Sequence, residues 1–106
     1  MSSLKQKVRE NFRDAVFKRD RSACVMCGTK SQPLDAHHIT DRNLMPNGGY
    51  VKENGISLCD SLTGCHNKAE CYHRGEQVPT GYLPEDLYKK IGSSYEKAVE
   101  ASKKLK

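Results

Sequence analysis

Four cysteines in two pairs, Cys24-x2-Cys27 and Cys59-x5-Cys65, constrain this chain more than any other feature. Thiolates are soft ligands, and zinc favours four of them at the corners of a tetrahedron, so two such pairs predict one structural zinc site. The first pair has standard knuckle spacing with Gly28 behind it; the second is wider. A cation that holds both pairs closes the loop between them and removes chain freedom that a small core could not restrain. The core must be small, because the chain has 106 residues, only 36% of them hydrophobic, and no Trp. Chains of this size often depend on a metal or on disulfides. The total of five cysteines disfavours a disulfide framework, which would leave one unpaired. Cys71 is the remaining one. It lies six residues after Cys65, about 240° round a helix, and is expected to pack rather than ligate. If the 60–64 spacer displaces Cys65, Cys71 is the reserve fourth ligand.

The formal charge is +5. A positive balance favours a polyanionic partner, nucleic acid first and an anionic membrane surface second. Residues 1–10 are polar and do not form an export signal, and no apolar run reaches membrane-spanning length. The chain is therefore expected in the cytoplasm, where cysteines serve metals more often than disulfides.

The pattern of elements is α+β within a single domain, 1–106. An amphipathic helix is expected over 4–19, with Leu4, Val8, Phe12 and Ala15/Val16 at helical spacing and Lys5, Lys7, Arg9, Arg13 and Lys18 on its other faces. Residues 23–33 turn repeatedly. A strand follows over 34–39, then a long loop over 40–49. Asn54-Gly55 reads as a turn, and 56–59 as a second strand with alternating faces. A helix is expected over 65–74. Pro84, Glu85 and Asp86 open another, interrupted at 91–94 and resumed over 95–105 with Lys97, Lys103, Lys104 and Lys106. This divides the chain into an N-terminal helix (1–20), a cysteine-enclosed strand–strand–helix core (21–75) and a C-terminal helical extension (76–106).

Three of the four histidines, His37, His38 and His66, fall between the first cysteine and the last. His37 and His38 are adjacent in the first strand, so they point opposite ways. His66 opens the helix, and Glu70 follows one turn later, about 40° round the axis, on the same face. One strand histidine with His66 and Glu70 makes a two-histidine, one-carboxylate metal site with positions left open for water and substrate. The other strand histidine stays free to take a proton, and an ordinary imidazole titrates near ~6.5, suited to a general base. His73 shares the face of His66 and Glu70 and is expected not to ligate.

The run Cys24-x2-Cys27, Asp35-Ala36-His37-His38-Ile39, Asn54-Gly55-Ile56-Ser57-Leu58-Cys59, Cys65-His66-x3-Glu70 resembles the HNH endonucleases, the ββα-metal (His-Me finger) nucleases common in bacteria and their phages. The resemblance covers residues 19–75. It implies a small ββα-metal module stapled by the four-cysteine zinc site, flanked by N-terminal and C-terminal helices. It implies His38 as the general base, His37 as a metal ligand on the strand, Asn54 as the brace that keeps the base oriented, and His66 and Glu70 as the helix ligands. Glu70 stands where many members have His or Asn. An oxygen ligand makes the site harder and suits Mg²⁺ or Mn²⁺, with Zn²⁺, Ni²⁺ and Co²⁺ as alternatives. The implied reaction is one-metal hydrolysis of DNA phosphodiesters, leaving a 5′-phosphate and a 3′-hydroxyl. Arg42, Lys18 and Arg19 are candidates for nucleic-acid contact. A phage packaging or restriction partner, or a second copy of the chain, would fit such a nuclease in a bacterial cytoplasm. The competing reading is a zinc-dependent nucleic-acid-binding module without catalysis, which has no use for His38 or Glu70. A redox role for Cys24 and Cys27 lacks the βαβ pattern that such a motif accompanies.

Overall fold

The computed structural model describes residues 2–61 and 63–105, with side chains from Lys5 onward. The side chain of Leu4, assigned above to the apolar helix face, and Lys106, among the terminal cations, lie outside the described part. The described residues form an α+β fold with four α-helices and one two-stranded antiparallel sheet. In chain order these are α1 (Ser2–Arg19), β1 (Leu34–His38), β2 (Gly55–Cys59), α2 (Cys65–His73), α3 (Pro84–Lys90) and α4 (Tyr95–Lys103). Among the described residues no helix is long and apolar enough to cross a membrane.

β1 and β2 pair from Leu34 opposite Cys59 to His38 opposite Gly55. The expected alternation along the second strand is not what the structure has: all five residues of β2 are buried. The reason is that β2 is covered on every side. Its free edge is taken by the 20–25 segment, where Val25 N–H donates to Ser57 O (2.9 Å) and the Asp20 carboxylate accepts from Ser57 N–H (2.9 Å). α1 lies across one face and α2 packs on the other. A strand covered twice reads as a buried run rather than an alternating one.

Gly55 is also not the turn residue its sequence suggested. Asn54 ends a 3₁₀ turn (Lys52–Asn54), and Gly55 is extended at φ −129°. A Cβ there would lie 2.5 Å from Val16 Cγ2 and 2.7 Å from Phe12 Cε1, so glycine is what lets α1 approach the strand. Phe12 and Val16 are the buried residues of α1's apolar stripe. Each contributes about 1.5–3 kcal/mol through burial. Arg19 then fastens the end of α1. Its guanidinium grips both oxygens of Asp20 (2.7 and 2.8 Å) and donates to Lys52 O (2.6 Å) and Gly55 O (2.7 Å).

The core lies between the sheet and the C-terminal half: Ile39, Ile56, Leu58, Ala69, Leu87, Tyr88 and Ala98, together with Cys24, Cys59 and Cys65. The 40–49 loop holds two 3₁₀ turns, Arg42–Leu44 and Pro46–Gly49. Asn47 caps α4 from this loop by donating to Ser102 O (2.9 Å) and Leu105 O (3.1 Å). At the start of α4, Ser94 Oγ accepts from Lys97 N–H (3.1 Å) and so caps the resumed helix.

Candidate metal centres

The two cysteine pairs meet. The Sγ atoms of Cys24, Cys27, Cys59 and Cys65 all lie within 4.8 Å of one another, and Cys27 Sγ is 3.7 Å from Cys59 Sγ. Four sulfurs about 2.3 Å from one zinc stand about 3.8 Å apart, so the group is positioned for a metal ion and consistent with structural zinc. The wide second spacing works because the chain folds back within it. Gly64 approaches the Cys59 carbonyl so closely that a Cβ would lie 2.7 Å from it, and the Cys65 N–H points at Cys59 Sγ (3.3 Å).

The surroundings treat the sulfurs unequally. Burial acts to raise the Cys24 thiol, but the backbone amides of Cys27, Cys59 and Met26 outweigh it and bring Cys24 down to about 7. Burial pushes Cys65 up to about 12, against a hydrogen bond donated by the Tyr82 hydroxyl (3.3 Å). Crowded thiols resist ionising together, and a divalent cation at their centre removes that opposition. Cys71 stands outside the group, with its thiol against Asn67 O (3.5 Å).

A second donor group forms where β1 meets α2. His37 is buried, and its Nδ1 lies 3.1 Å from Glu70 Oε2; His66 Nε2 is 3.5 Å from the same oxygen. One ligand atom from each of the three falls within 4.8 Å of the others. The His37–Glu70 approach is close yet off the line of a hydrogen bond, and His37 Nδ1 has no such partner among the described residues. Two imidazole nitrogens and a carboxylate oxygen gathered this closely are donor types that a divalent cation takes, so the residues fit one. The His37 imidazole beside it, helped by His66 and His73, holds the Glu70 carboxyl down at about 2 despite burial. Burial keeps His37 below the ordinary imidazole range.

His38 points to the other side of the strand. It stacks on Phe12 (ring centroids 4.5 Å apart) and meets the edge of Tyr50 (4.8 Å). Burial first, then the charges of His37 and Arg42, bring it down to about 4, so it is neutral at neutral pH but a weaker base than the ordinary imidazole the sequence led one to expect. Its Nε2 is buried with no hydrogen-bond partner among the described residues. His37, His38, His66 and Glu70 nevertheless line one cavity of about 340 Å³, with Arg42 and His73 at its wall. His73 is outside the donor triad; its Nε2 contacts the His38 carbonyl oxygen (3.2 Å).

Asn54 sits behind this loop, fully buried, with both donors and both acceptor positions engaged. Its Nδ2 donates to Thr40 O (3.0 Å) and Gly49 O (3.2 Å), and its Oδ1 accepts from Thr40 N–H (2.9 Å) and the Tyr88 hydroxyl (2.7 Å). Gly49, at φ +66°, leaves room for it; a Cβ there would lie 2.6 Å from Nδ2.

Not every candidate arrives at the site. Lys18 is exposed, and neither it nor Arg19 lines the 340 Å³ cavity. Arg19 has four of its five N–H donors engaged within the chain, a structural duty its position in a run of cations did not reveal. The structure adds three residues that sequence reasoning passed over. Asp35 Oδ2 lies 3.1 Å from His66 Nε2. Strand alternation could have found it, since Asp35 and His37 share a face of β1. Tyr82, on the Cys65 thiol, and Tyr88, on Asn54, come from beyond the core and carry no local signal. Comparison of the chain with protein-family models, with characterised proteins and with solved structures finds no match.

Proposed function

We propose that the chain is a metal-dependent DNA endonuclease of the HNH type, in which β1, β2 and α2 make a ββα-metal module pinned by a structural zinc. The observation that carries this reading is the meeting, in one cavity, of a His37–His66–Glu70 donor triad with a neutral, half-buried His38. A three-donor set leaves positions open for substrate oxygen, unlike the four-donor cysteine group.

His37, His66 and Glu70 would hold the divalent cation, Mg²⁺ or Mn²⁺ before softer ions because of the carboxylate oxygen. When bound, the cation supplies Lewis-acid stabilisation of the charge that develops on the phosphoryl and leaving oxygens. His38 is the general base. Its neutral imidazole takes a proton from water as the water oxygen attacks phosphorus in line with the 3′-oxygen. The P–O3′ bond breaks, leaving a 5′-phosphate and, after protonation, a 3′-hydroxyl. Phe12 and Tyr50 hold the His38 ring from two sides. Asn54 fixes the Thr40 backbone two residues beyond it. One such set of groups per chain cuts one strand at a time, so double-strand breaks need two copies or two successive nicks.

The test is conversion of supercoiled plasmid by the purified protein with and without Mg²⁺ or Mn²⁺, alongside His38→Ala. Metal-dependent nicking, lost in the variant by at least about 100-fold while its fold persists by circular dichroism, is the expected result. Plasmid that is bound but left intact with every divalent metal would turn the assignment to a zinc-dependent nucleic-acid-binding module.

A further inference from the structure

Two hollows flank the candidate site, and their charges are opposite. On the α3–α4 side, a groove of about 680 Å³ is lined by Asp41, Glu85 and Glu96 with Lys89 as its one cation among the described lining residues. On the α1 side, a hollow of about 500 Å³ is lined by Lys5, Arg9 and Arg42 around Tyr50, with no carboxylate among its described lining residues. Arg42 and Tyr50 belong to this hollow and to the wall of the 340 Å³ cavity alike, so the two spaces adjoin. A third space of about 380 Å³ joins them, lined by Arg9, Arg13, His38, Arg42 and Tyr50 among others.

The basic hollow has a centre. Arg42 Nη1 donates to the Tyr50 hydroxyl (3.5 Å), and Arg9 faces the same oxygen from α1. Burial pushes the Tyr50 phenol up, but the two guanidiniums outweigh it and bring it below its ordinary value. Lys5, Arg9 and Arg42 are all exposed, and none of them forms an ion pair among the described residues, whereas Arg19 and Arg74 do. Guanidiniums that converge on a neutral hydroxyl rather than on a carboxylate keep their forked donors available, and that geometry matches phosphate oxygens.

We propose that Lys5, Arg9 and Arg42, gathered around the Tyr50 hydroxyl, bind a backbone phosphate of duplex DNA beside the phosphodiester in the His37–Glu70 cavity, so that the strand runs over α1 and away from the acidic α3–α4 groove. The direction of the strand rests on the nuclease reading; the phosphate site itself does not. This moves the nucleic-acid contact from the Lys18–Arg19 end of α1 to its N-terminal half, two to three turns away. The contact is to the backbone, so it adds affinity without sequence preference.

The experiment is fluorescence-anisotropy titration of a labelled DNA duplex, and of the matching single strand, over a range of salt and without added divalent metal. It uses the wild type, Arg9→Ala, Arg42→Ala, Arg9→Lys, Lys18→Ala and Lys89→Ala. Neutralising one phosphate contributes about 0.9 to the slope of log affinity against log salt on a duplex and about 0.7 on a single strand. Arg9→Ala and Arg42→Ala are each expected to lower the duplex slope by part of that one contact, by about 0.9 at most between them, whereas Lys18→Ala and Lys89→Ala keep the wild-type slope. Arg9→Lys retains the charge and is expected to restore it; thermal melts identify any variant that has lost its fold. Wild-type slopes in both arginine variants, slopes lowered equally by Lys18→Ala, a response confined to the single strand, or no salt-dependent binding by the wild type would each overturn the proposal. Plasmid cleavage by the same proteins separates the two claims. Cleavage with unaltered arginine-variant binding removes this site and leaves the nuclease, whereas altered binding without cleavage does the reverse.

Discussion

The two donor groups of this chain are built from adjacent residues yet differ in almost every physical respect. Cys65 and His66 are neighbours in the first turn of α2, but one joins a knot of four sulfurs and the other a triad of two imidazoles and a carboxylate. Three of the four cysteines are buried, and backbone amides and the Tyr82 hydroxyl surround the sulfurs. The triad faces a cavity, with the His66 and Glu70 side chains 23% and 33% exposed. A closed soft site suits a metal that stays; an open, harder one suits a metal that works. The contrast teaches that a metal held by the sulfur knot would serve as an anchor. By fixing Cys65, it would set the height and rotation at which His66 and Glu70 meet His37.

The comparison breaks most severely if the anchor is removed. Cys65→Ser, or a strong chelator, is expected to abolish the cooperative thermal transition, because apparent zinc binding of about 10–16 kcal/mol in comparable small sites exceeds the whole stability of most domains. Circular dichroism melts read this directly, and an unchanged transition in Cys65→Ser would show that the sulfur knot is not the anchor. Glu70→Gln makes the opposite cut. It is expected to leave the melting temperature within a few degrees of wild type while weakening Mn²⁺ binding and plasmid cleavage by about 100-fold or more, measured by calorimetry and gel assay. If both variants unfold alike, the division of labour fails.

The smallest effect is a pH dependence. His38 titrates at about 4 in the folded chain against about 6.5 when unfolded. Between those values the unfolded chain binds more protons, so stability rises with pH across that window. The contribution is complete above about 6.5 and declines as pH falls towards 4. Glu70 acts with the same sign at lower pH, its effect complete above 4.5 and lost as pH falls towards about 2. The gap in melting temperature between wild type and His38→Gln should therefore shrink as pH drops from 6.5 to 4, and a constant gap would show that His38 is not held neutral by burial.

Much of this was legible in the sequence because it is local. Helical spacing marked α1, the break at 91–94 separated α3 from α4, and the i, i+4 relation of His66 and Glu70 is visible in the spacing alone. The cysteine pairs were readable because ligand chemistry, not packing, dictates them. What escaped was decided at long range. Full burial of β2 depends on the 20–25 segment taking its free edge, which no window around β2 contains. Gly55 looks like a turn residue until Val16 and Phe12 are placed against it. Arg19 looks like every other cation of α1 until its carbonyl partners, 33 and 36 residues away, are known.

The Tyr88 hydroxyl touches both Asn54 Oδ1 and Thr40 Oγ1 at 2.7 Å, and it reaches them from α3. That single phenol sets the limits of portability. A cassette cut after the last residue of α2 would contain both candidate donor groups, yet it would leave Asn54 one partner short and the loop beside His38 without its outer prop. For anyone grafting this site onto another scaffold, or shortening it by deletion, the smallest inheritable unit extends through α3, which counts as part of the loop's support rather than as an appendage to it.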